Sequence, residues 1–308
     1  MHASAPPRKT APAQTPLPDA SPAAFAAVIL ANVALAFGPW FVRLADTGPV
    51  AAAFWRITLA APVLVAAAFV AGGGGVVRGR QPPWGLLGVL LLSGIAFAGD
   101  LGTWHLGIRQ TTLANATLFG NSATLIFPIY GFLVARAWPT RMQAFALLLA
   151  ALGGGLLMGR SYQADPRHLI GDLLCLAAGV LYAVYFILMA RVRMRVAPVP
   201  ALAMSTLASI VPLLLYALVL GERIWPDHWG ALIAMALVSQ VVGQGLMIYA
   251  LGKLSPLVIG IALLVQPIVA GAIGWIIYGE RLGGPDLLGV ALVAAALVLV
   301  RRKGRSEA

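Results

Sequence analysis

Charged residues are scarce in this sequence of 308 residues, where Asp, Glu, Lys and Arg together make up 10%. A soluble globular domain carries roughly 25% of these residues. Hydrophobic residues make up 60% of the chain, and its mean hydropathy is +0.90. This composition excludes an ordinary soluble domain. It predicts an all-α polytopic membrane protein with most of its chain in lipid.

Residues that support redox, metal or nucleophilic chemistry are also scarce. The single cysteine, Cys175, excludes a disulfide framework, and the four histidines are too far apart in the sequence for a metal site. No GxxxxGK[ST] loop for ATP is present. Asp100 is the one acidic residue well inside an apolar stretch, and we expect no histidine there. The sequence therefore predicts no cofactor, no metal and no enzyme activity.

Ten apolar stretches are long enough to cross a hydrocarbon core, which takes about 20 residues of helix. Short connectors that contain Gly and Pro separate them. Residues 1–22 are rich in proline and cannot bury a core, so they predict a disordered tail rather than a cleaved signal peptide. The predicted spans are 23–43, 49–71, 84–105, 112–134, 141–159, 169–190, 198–219, 228–250, 256–277 and 284–300.

The distribution of basic residues predicts the orientation. An even number of spans places both termini on one side, and that side receives 14 Lys and Arg residues against 6 on the other. The positive-inside rule then predicts an inner-membrane protein with both termini in the cytoplasm. The net charge of +11 is therefore a topology signal, and we expect membrane lipid rather than nucleic acid as a partner.

The two halves of the chain are similar to each other. TWHLGIRQT at 103–111 aligns with IYALGKLSP at 248–256, and each is followed by an apolar helix and a short helix that ends in basic residues. Because each half has five spans, an odd number, the second half inserts upside down and the pair forms an inverted repeat. We assign the repeats to 23–160 and 161–303, with a short cytoplasmic tail at 304–308.

The chain resembles the drug/metabolite transporter superfamily, in its ten-helix branch with paired EamA-like repeats. The residues that carry this resemblance are FWRITLA at 54–60, LANATL at 113–118, YALGKLSP at 249–256, Gln266-Pro267 and YGERL at 278–282. Within the superfamily, the aromatic residues of the first half look similar to those of the aromatic amino acid exporters.

The resemblance implies a secondary transporter that exports small metabolites, chiefly amino acids including aromatic ones. Transport would occur by alternating access through a central cavity. We expect a small-molecule substrate and a monomer. Proton coupling, with Asp100 as the carrier, and facilitated diffusion are both open. The alternative function is a broad exporter of cationic drugs or other metabolites, and a channel or a structural membrane protein is a further one.

Two charged residues lie well inside predicted spans, where a charge costs roughly 2.5–3.5 kcal/mol on insertion scales. Arg56 lies in the second span and Asp100 in the third. In a substrate site, Arg56 would bind a carboxylate and Asp100 an ammonium group, which together match a zwitterionic amino acid. In a structural role, the two side chains would pair as a clamp, or Arg56 would extend to the outer interface.

Aromatic and amide side chains provide further candidates. Phe97, Asp100 and Trp104 share one face of the third span, because their spacing is i, i+3, i+7. The repeat alignment pairs Trp104 with Tyr249 on the eighth span, which also carries Gln244. The third and eighth spans are therefore predicted to form opposite walls of one cavity.

Other polar residues fit either a cavity or helix packing. Gln240 shares a face with Gln244, and an amide in lipid requires a partner, so this face is predicted to point inward. Asn121 and Tyr182 are polar residues in apolar spans. Trp40 follows Gly38-Pro39, which predicts a kink in the first span, although a Trp of the outer interfacial belt at a helix end fits somewhat better. The predicted substrate-binding residues are Trp40, Arg56, Phe97, Asp100, Trp104, Asn121, Tyr182, Gln244 and Tyr249.

Overall fold

The computed structural model describes residues 21–70, 84–111, 116, 119–136, 138–159, 168–278 and 283–306. Within these ranges the secondary structure is helical, which confirms the all-α fold. The predicted disordered tail lies outside the described residues, except for its last two positions. Residues 71–83, before the third span, and most of residues 112–118, at the start of the fourth, also lie outside them.

The helices are α1 (Pro22–Ala36), α2 (Gly38–Leu44), α3 (Pro49–Val70), α4 (Trp84–Gln110), α5 (Ala123–Ala135), α6 (Arg141–Gly159), α7 (Leu169–Arg193), α8 (Pro198–Val219), α9 (Gly230–Met235), the π-helix π1 (Ala236–Gln244), α10 (Gly245–Leu251), α11 (Pro256–Leu263), α12 (Val265–Tyr278) and α13 (Gly284–Ser306).

Seven of these helices, or continuous series of them, are long and apolar enough to cross a membrane, and three shorter apolar helices accompany them in the described part of the chain. Together they correspond to the ten predicted spans, and the polytopic membrane fold is confirmed. Two boundaries differ clearly from prediction. The third span continues to Gln110, and α13 continues to Ser306, so part of the predicted tail 304–308 is helical.

Proline and serine explain where several spans begin. Pro22, Pro49, Pro198 and Pro256 each occupy a first helical position, where the missing N–H costs no hydrogen bond. Ser255 caps α11, because its Oγ accepts the backbone N–H of Val258 at 3.4 Å. The spans therefore begin where local sequence signals allow a helix to begin.

The central bundle is formed by α3, α4, α7 and α8. Helix α4 packs along α7 and α8, and α3 packs along α8, whereas α6 and α13 pack on each other. The close approach of α4 to α8 requires Gly94, since a Cβ there would lie 3.0 Å from the Ser205 carbonyl oxygen. Ser209 Oγ then donates to the Gly94 carbonyl at 2.9 Å, which joins the two helices.

The first, eighth and ninth spans are irregular in their middle. The first breaks at Phe37 between α1 and α2, as Gly38-Pro39 predicts, and the ninth breaks at Leu264 between α11 and α12. The eighth contains the π-helix π1. Irregular backbone in a membrane is tolerated where it is buried in protein or borders a cavity. These three irregularities therefore indicate where to look for a site.

Two connectors from opposite halves of the chain contact each other at one end of the spans. We call this the inter-loop contact, formed by residues 45–51 and 222–228. Glu222 Oε2 accepts the backbone N–H of Ala51 at 2.8 Å, and Trp55 Nε1 donates to the Ile224 carbonyl at 2.6 Å. In the other direction, Asp46 Oδ2 accepts backbone N–H groups from the second connector, those of Asp227 and His228, each at 3.0 Å.

Candidate functional site

A cavity with a volume of about 80 Å³ lies at the three helix irregularities. At about 10–15 Å³ for one water, it holds roughly five to eight waters. This number of waters is similar to the number of non-hydrogen atoms in a small amino acid. Its lining residues are Leu35, Ala36, Pro39, Arg56, Phe97, Asp100, Leu101, Trp104, Gly120, Asn121, Tyr182, Gln244, Gln266 and Ala270.

The cavity brings together seven of the nine predicted substrate-binding residues. These are Arg56, Phe97, Asp100, Trp104, Asn121, Tyr182 and Gln244. Trp40 and Tyr249 are not among the lining residues. Trp40 packs on Phe41, with ring centroids 5.4 Å apart, and its neighbour Pro39 lines the cavity instead. Tyr249 accepts a hydrogen bond from Lys253 Nζ at 3.0 Å.

Arg56 is buried beside the break in the first span. It is only 3% exposed, so its extension to the outer interface is wrong. Its Nε donates to Gln240 Oε1 at 3.2 Å, and Gln240 Nε2 donates to Thr206 Oγ1 at 3.3 Å. These contacts hold one edge of the guanidinium. Within the described ranges, neither terminal nitrogen of Arg56 has an acceptor, and Arg56 lines the cavity.

Asp100 lines the same cavity from α4 and is 8% exposed. Among the residues that the structure describes, its carboxylate has no hydrogen-bond donor and no ion pair, so the predicted clamp between Arg56 and Asp100 is wrong. An uncompensated charge in a low-dielectric interior costs several kcal/mol. Arg56 and Asp100 attract each other across the cavity but form no direct ion pair, so a ligand that contacts both would compensate their charges more completely.

Gln244, at the end of π1, is fully buried and lines the cavity. Its Oε1 accepts from the Tyr182 hydroxyl in a long hydrogen bond of 3.4 Å. Its Nε2 has no partner in the described part of the chain. Gln240, one turn earlier, is equally buried but binds Arg56 instead. The inward face predicted for both amides is confirmed, and only Gln244 presents a donor at the cavity.

Aromatic side chains of α4 and α7 form one wall. The rings of Phe97 and Tyr182 stack with centroids 6.5 Å apart, and Tyr185 stacks on Phe97 at 4.5 Å. Trp104 lies over Gly120, where a Cβ would be 2.9 Å from the indole Nε1. This wall provides apolar surface beside the Asp100 carboxylate.

Gln266 is a lining residue that the sequence analysis does not include among its candidates. It lies on α12, just after the break at Leu264, and its Nε2 donates to Asn32 Oδ1 at 2.8 Å. The repeat alignment contains a signal for it, because the register that pairs Trp104 with Tyr249 also pairs Asn121 with Gln266. Both members of this second pair line the cavity.

The expected absence of an embedded histidine is wrong. Because α4 continues to Gln110, His105 lies inside the helix and is fully buried. Its Nδ1 is 2.8 Å from the Pro49 carbonyl oxygen at the start of α3, and its Nε2 has no partner in the described residues. His105 is absent from the cavity lining and joins α4 to α3.

Comparisons with known proteins are consistent with this architecture. A protein from Archaeoglobus fulgidus, described as an uncharacterized transporter, is 22% identical over 266 residues, which cover 85% of this chain and 91% of that protein. The threonine/homoserine exporter RhtA of Escherichia coli K12 is 26% identical over 212 residues, covering 67% and 68% of the two chains. RhtA of Salmonella typhimurium SL1344 is 29% identical over 153 residues, about half of each chain.

A solved crystal structure supports the fold alone. It superposes with a TM-score of 0.75 at 17% identity and covers 92% of this chain and 96% of the other. The family model described as the EamA-like transporter family matches residues 22–159 and again 169–302, which together include most of the chain. The protein is therefore a member of the EamA-like transporter family, within the drug/metabolite transporter superfamily.

Proposed function

We propose that this transporter is a secondary exporter of amino acids. The observation that carries the proposal is that Arg56 and Asp100, both buried and unpaired in the described structure, line one cavity. A zwitterion supplies one carboxylate and one ammonium group, so a single amino acid compensates both buried charges. A neutral metabolite would leave both charges unpaired, and a simple cation or anion would leave one.

In the proposed complex, the substrate carboxylate binds the terminal nitrogens of Arg56 and the Nε2 of Gln244. The substrate ammonium group binds Asp100 beside the rings of Phe97 and Tyr182. Hydrogen bonds to charged groups contribute about 1.5–3 kcal/mol each. Binding of one substrate by three such groups is therefore expected to discriminate strongly against compounds that lack either charge.

The comparisons support an amino acid substrate at a coarse level. Two of the similar proteins are threonine/homoserine exporters. The small volume of the cavity favours small amino acids, and larger aromatic ones would require it to widen. The aromatic wall also fits a flat cation, so a broad exporter of cationic drugs is the second candidate function.

We further propose that transport occurs by alternating access between two inverted repeats. The protein would lie in the inner membrane with both termini on the cytoplasmic side. In this orientation the inter-loop contact lies at the outer side, and it would separate when the cavity opens outward. Because the Asp100 carboxylate is unpaired, it is free to exchange a proton for the substrate ammonium group. This competition favours proton antiport over facilitated diffusion.

The test is uptake by liposomes that contain only this protein. Labelled threonine, phenylalanine and an organic cation are each supplied with and without an imposed pH gradient. We expect saturable threonine flux that the gradient accelerates, and loss of this acceleration in Asp100→Asn. Arg109→Gln, at the exposed end of α4 and outside the cavity lining, is the control. Flux of the cation without flux of any amino acid would contradict the proposal.

A further inference from the structure

We infer that Gln266 recognises a hydroxyl group on the substrate side chain, and that Asn32 is the positioning residue that orients Gln266 for this role. The inference rests on the proposed function and makes it more specific, because it names hydroxyl-bearing amino acids as the preferred substrates. Gln266 lies on α12 and Asn32 on α1, so the two residues join the broken ninth span to the broken first span.

The orientation of both amides follows from one backbone group. The carbonyl oxygen of Val28 only accepts hydrogen bonds, so Asn32 must direct its Nδ2 toward it, at 2.7 Å. This leaves Asn32 Oδ1 facing Gln266. Since Oδ1 also only accepts, Gln266 must present its Nε2, which lies 2.8 Å away. The Oε1 of Gln266 is then the free end of the side chain.

Burial keeps this arrangement fixed. Asn32 is fully buried in the first span, and rotation of its amide would place an Nδ2 donor against the Nε2 donor of Gln266. It would also leave the Val28 carbonyl without its side-chain donor. Gln266 lines the cavity, and its Oε1 accepts no hydrogen bond from any residue that the structure describes. The cavity therefore contains a fixed neutral acceptor.

A hydroxyl group is the substrate donor that this acceptor suits. The ammonium group has the unpaired carboxylate of Asp100 as a partner in the same cavity, and a charged acceptor binds it about twice as strongly as a neutral one. An apolar substrate side chain at Gln266 would cover Oε1 without replacing the hydrogen bond of water. Discrimination against such a side chain is the expected consequence.

The experiment compares threonine with valine, which has a methyl group in place of the hydroxyl and nearly the same shape. Initial rates for each are measured in proteoliposomes, and the readout is the ratio of the two values of kcat/KM. We expect the wild type to favour threonine by about 10-fold or more. Gln266→Met, which keeps the length but removes the amide, should bring the ratio close to one.

Two further variants separate recognition from structure. Gln266→Asn keeps both the amide donor for Asn32 and the acceptor on a shorter side chain, and it should retain more of the preference for threonine than Gln266→Met. Asn32→Leu does not alter the cavity lining but releases the Gln266 amide, so it should lower the threonine-to-valine ratio. Asn32→Asp keeps the Oδ1 acceptor for Gln266, so its ratio should lie between those of Asn32→Leu and the wild type. Gln110→Met, at an exposed helix end, is the matched control.

Each outcome decides a separate point. An unchanged ratio in Gln266→Met would overturn the inference. If the ratio is unchanged because threonine and valine transport fall equally, Gln266 would instead bind the ammonium group, which both substrates carry. Amino acid flux with a wild-type ratio near one would refute the hydroxyl preference and leave the proposed function intact. Absence of flux for every amino acid would overturn both.

Discussion

The two halves of the chain meet in the cavity and at the inter-loop contact, and polar groups are used differently in the two places. In the cavity, the first half contributes the charges of Arg56 and Asp100 and the second half contributes the amides of Gln244 and Gln266. At the inter-loop contact the exchange is reciprocal, because each half contributes a carboxylate to backbone N–H groups of the other.

The difference lies in how far the polar groups are satisfied. Both oxygens of Glu222 accept backbone N–H groups, those of Val50 and Ala51, and Asp46 Oδ2 accepts two more, so that among these four oxygens only Asp46 Oδ1 has no partner in the described residues. In the cavity, by contrast, the described structure leaves Asp100 and the Nε2 of Gln244 without partners. A paired group stabilises the fold, whereas an unpaired buried group costs stability and is available to a ligand. This comparison predicts that cavity substitutions affect transport and that loop substitutions affect stability.

The largest effect is expected from removal of either cavity charge. Arg56→Gln and Asp100→Asn should each reduce kcat/KM for amino acid transport by about 10- to 100-fold, since each removes charged hydrogen bonds worth about 1.5–3 kcal/mol. Thermal unfolding in detergent should show an unchanged or higher melting temperature for Asp100→Asn, whose carboxylate has no donor in the described structure. Arg56→Gln also removes the donor of the buried Gln240 Oε1 and should melt somewhat lower. Arg109→Gln, at the exposed end of α4, is the matched control. A large loss of stability with little change in transport would contradict the prediction that the cavity charges serve transport rather than stability.

A smaller effect is expected from the second half's amide donor. Gln244→Met removes a single uncharged donor to the substrate carboxylate, worth about 1.5 kcal/mol at the low end of the range for hydrogen bonds to charged groups, so transport should fall by about 10-fold. Tyr182→Phe removes the partner of Gln244 Oε1 but leaves its Nε2 donor, and it should have the weaker effect of the two. Concentration dependence of uptake measures both. If Gln244→Met matched Asp100→Asn in its loss, charges and amides would not differ in importance.

Much of the fold was predictable because it depends on local signals. Apolar length, helix-initiating prolines and basic connectors indicate the ten spans. The Gly38-Pro39 pair indicates the break in the first span. The break at Leu264 likewise has a signal in Pro267, which lacks the N–H that would bond the Leu263 carbonyl. The π-helix at 236–244 has no comparable local signal, since it depends on how neighbouring helices pack.

The site was predictable where a residue type is costly in lipid, as for Arg56, Asp100 and Gln244. Trp40 and Tyr249 were less predictable, because an aromatic ring is equally stable against lipid, protein or a cavity. Pairing was not predictable either. Whether Arg56 contacts Asp100 or Gln240 depends on side-chain positions that the spacing of residues along a helix does not determine.

The smallest effect is expected at Asp46, in the inter-loop contact, and it depends on pH. Burial acts to raise the pKa of Asp46, but hydrogen bonds from the backbone N–H of Asp227 and from His228 outweigh it, so the pKa lies below its ordinary value of 3.8. A lowered pKa means that the ionised form stabilises the folded state. This stabilisation is present above pH 3.8 and is lost as the pH falls through the lower folded value.

Asp46→Asn should therefore melt slightly below the wild type at pH 7, and the difference should decrease as the pH is lowered below 3.8, as measured by thermal unfolding. His228→Ala separates the two sources of the effect, because it removes the ring but keeps the backbone donors of the second connector. If the backbone donors dominate, the pH dependence persists in this variant. A difference between Asp46→Asn and wild type that stays constant across this pH range would mean that the charge of Asp46 does not contribute. The inter-loop contact would then depend on its other hydrogen bonds, those of Glu222 and Trp55 and the one from the Gly48 N–H to the Arg223 carbonyl oxygen at 3.1 Å.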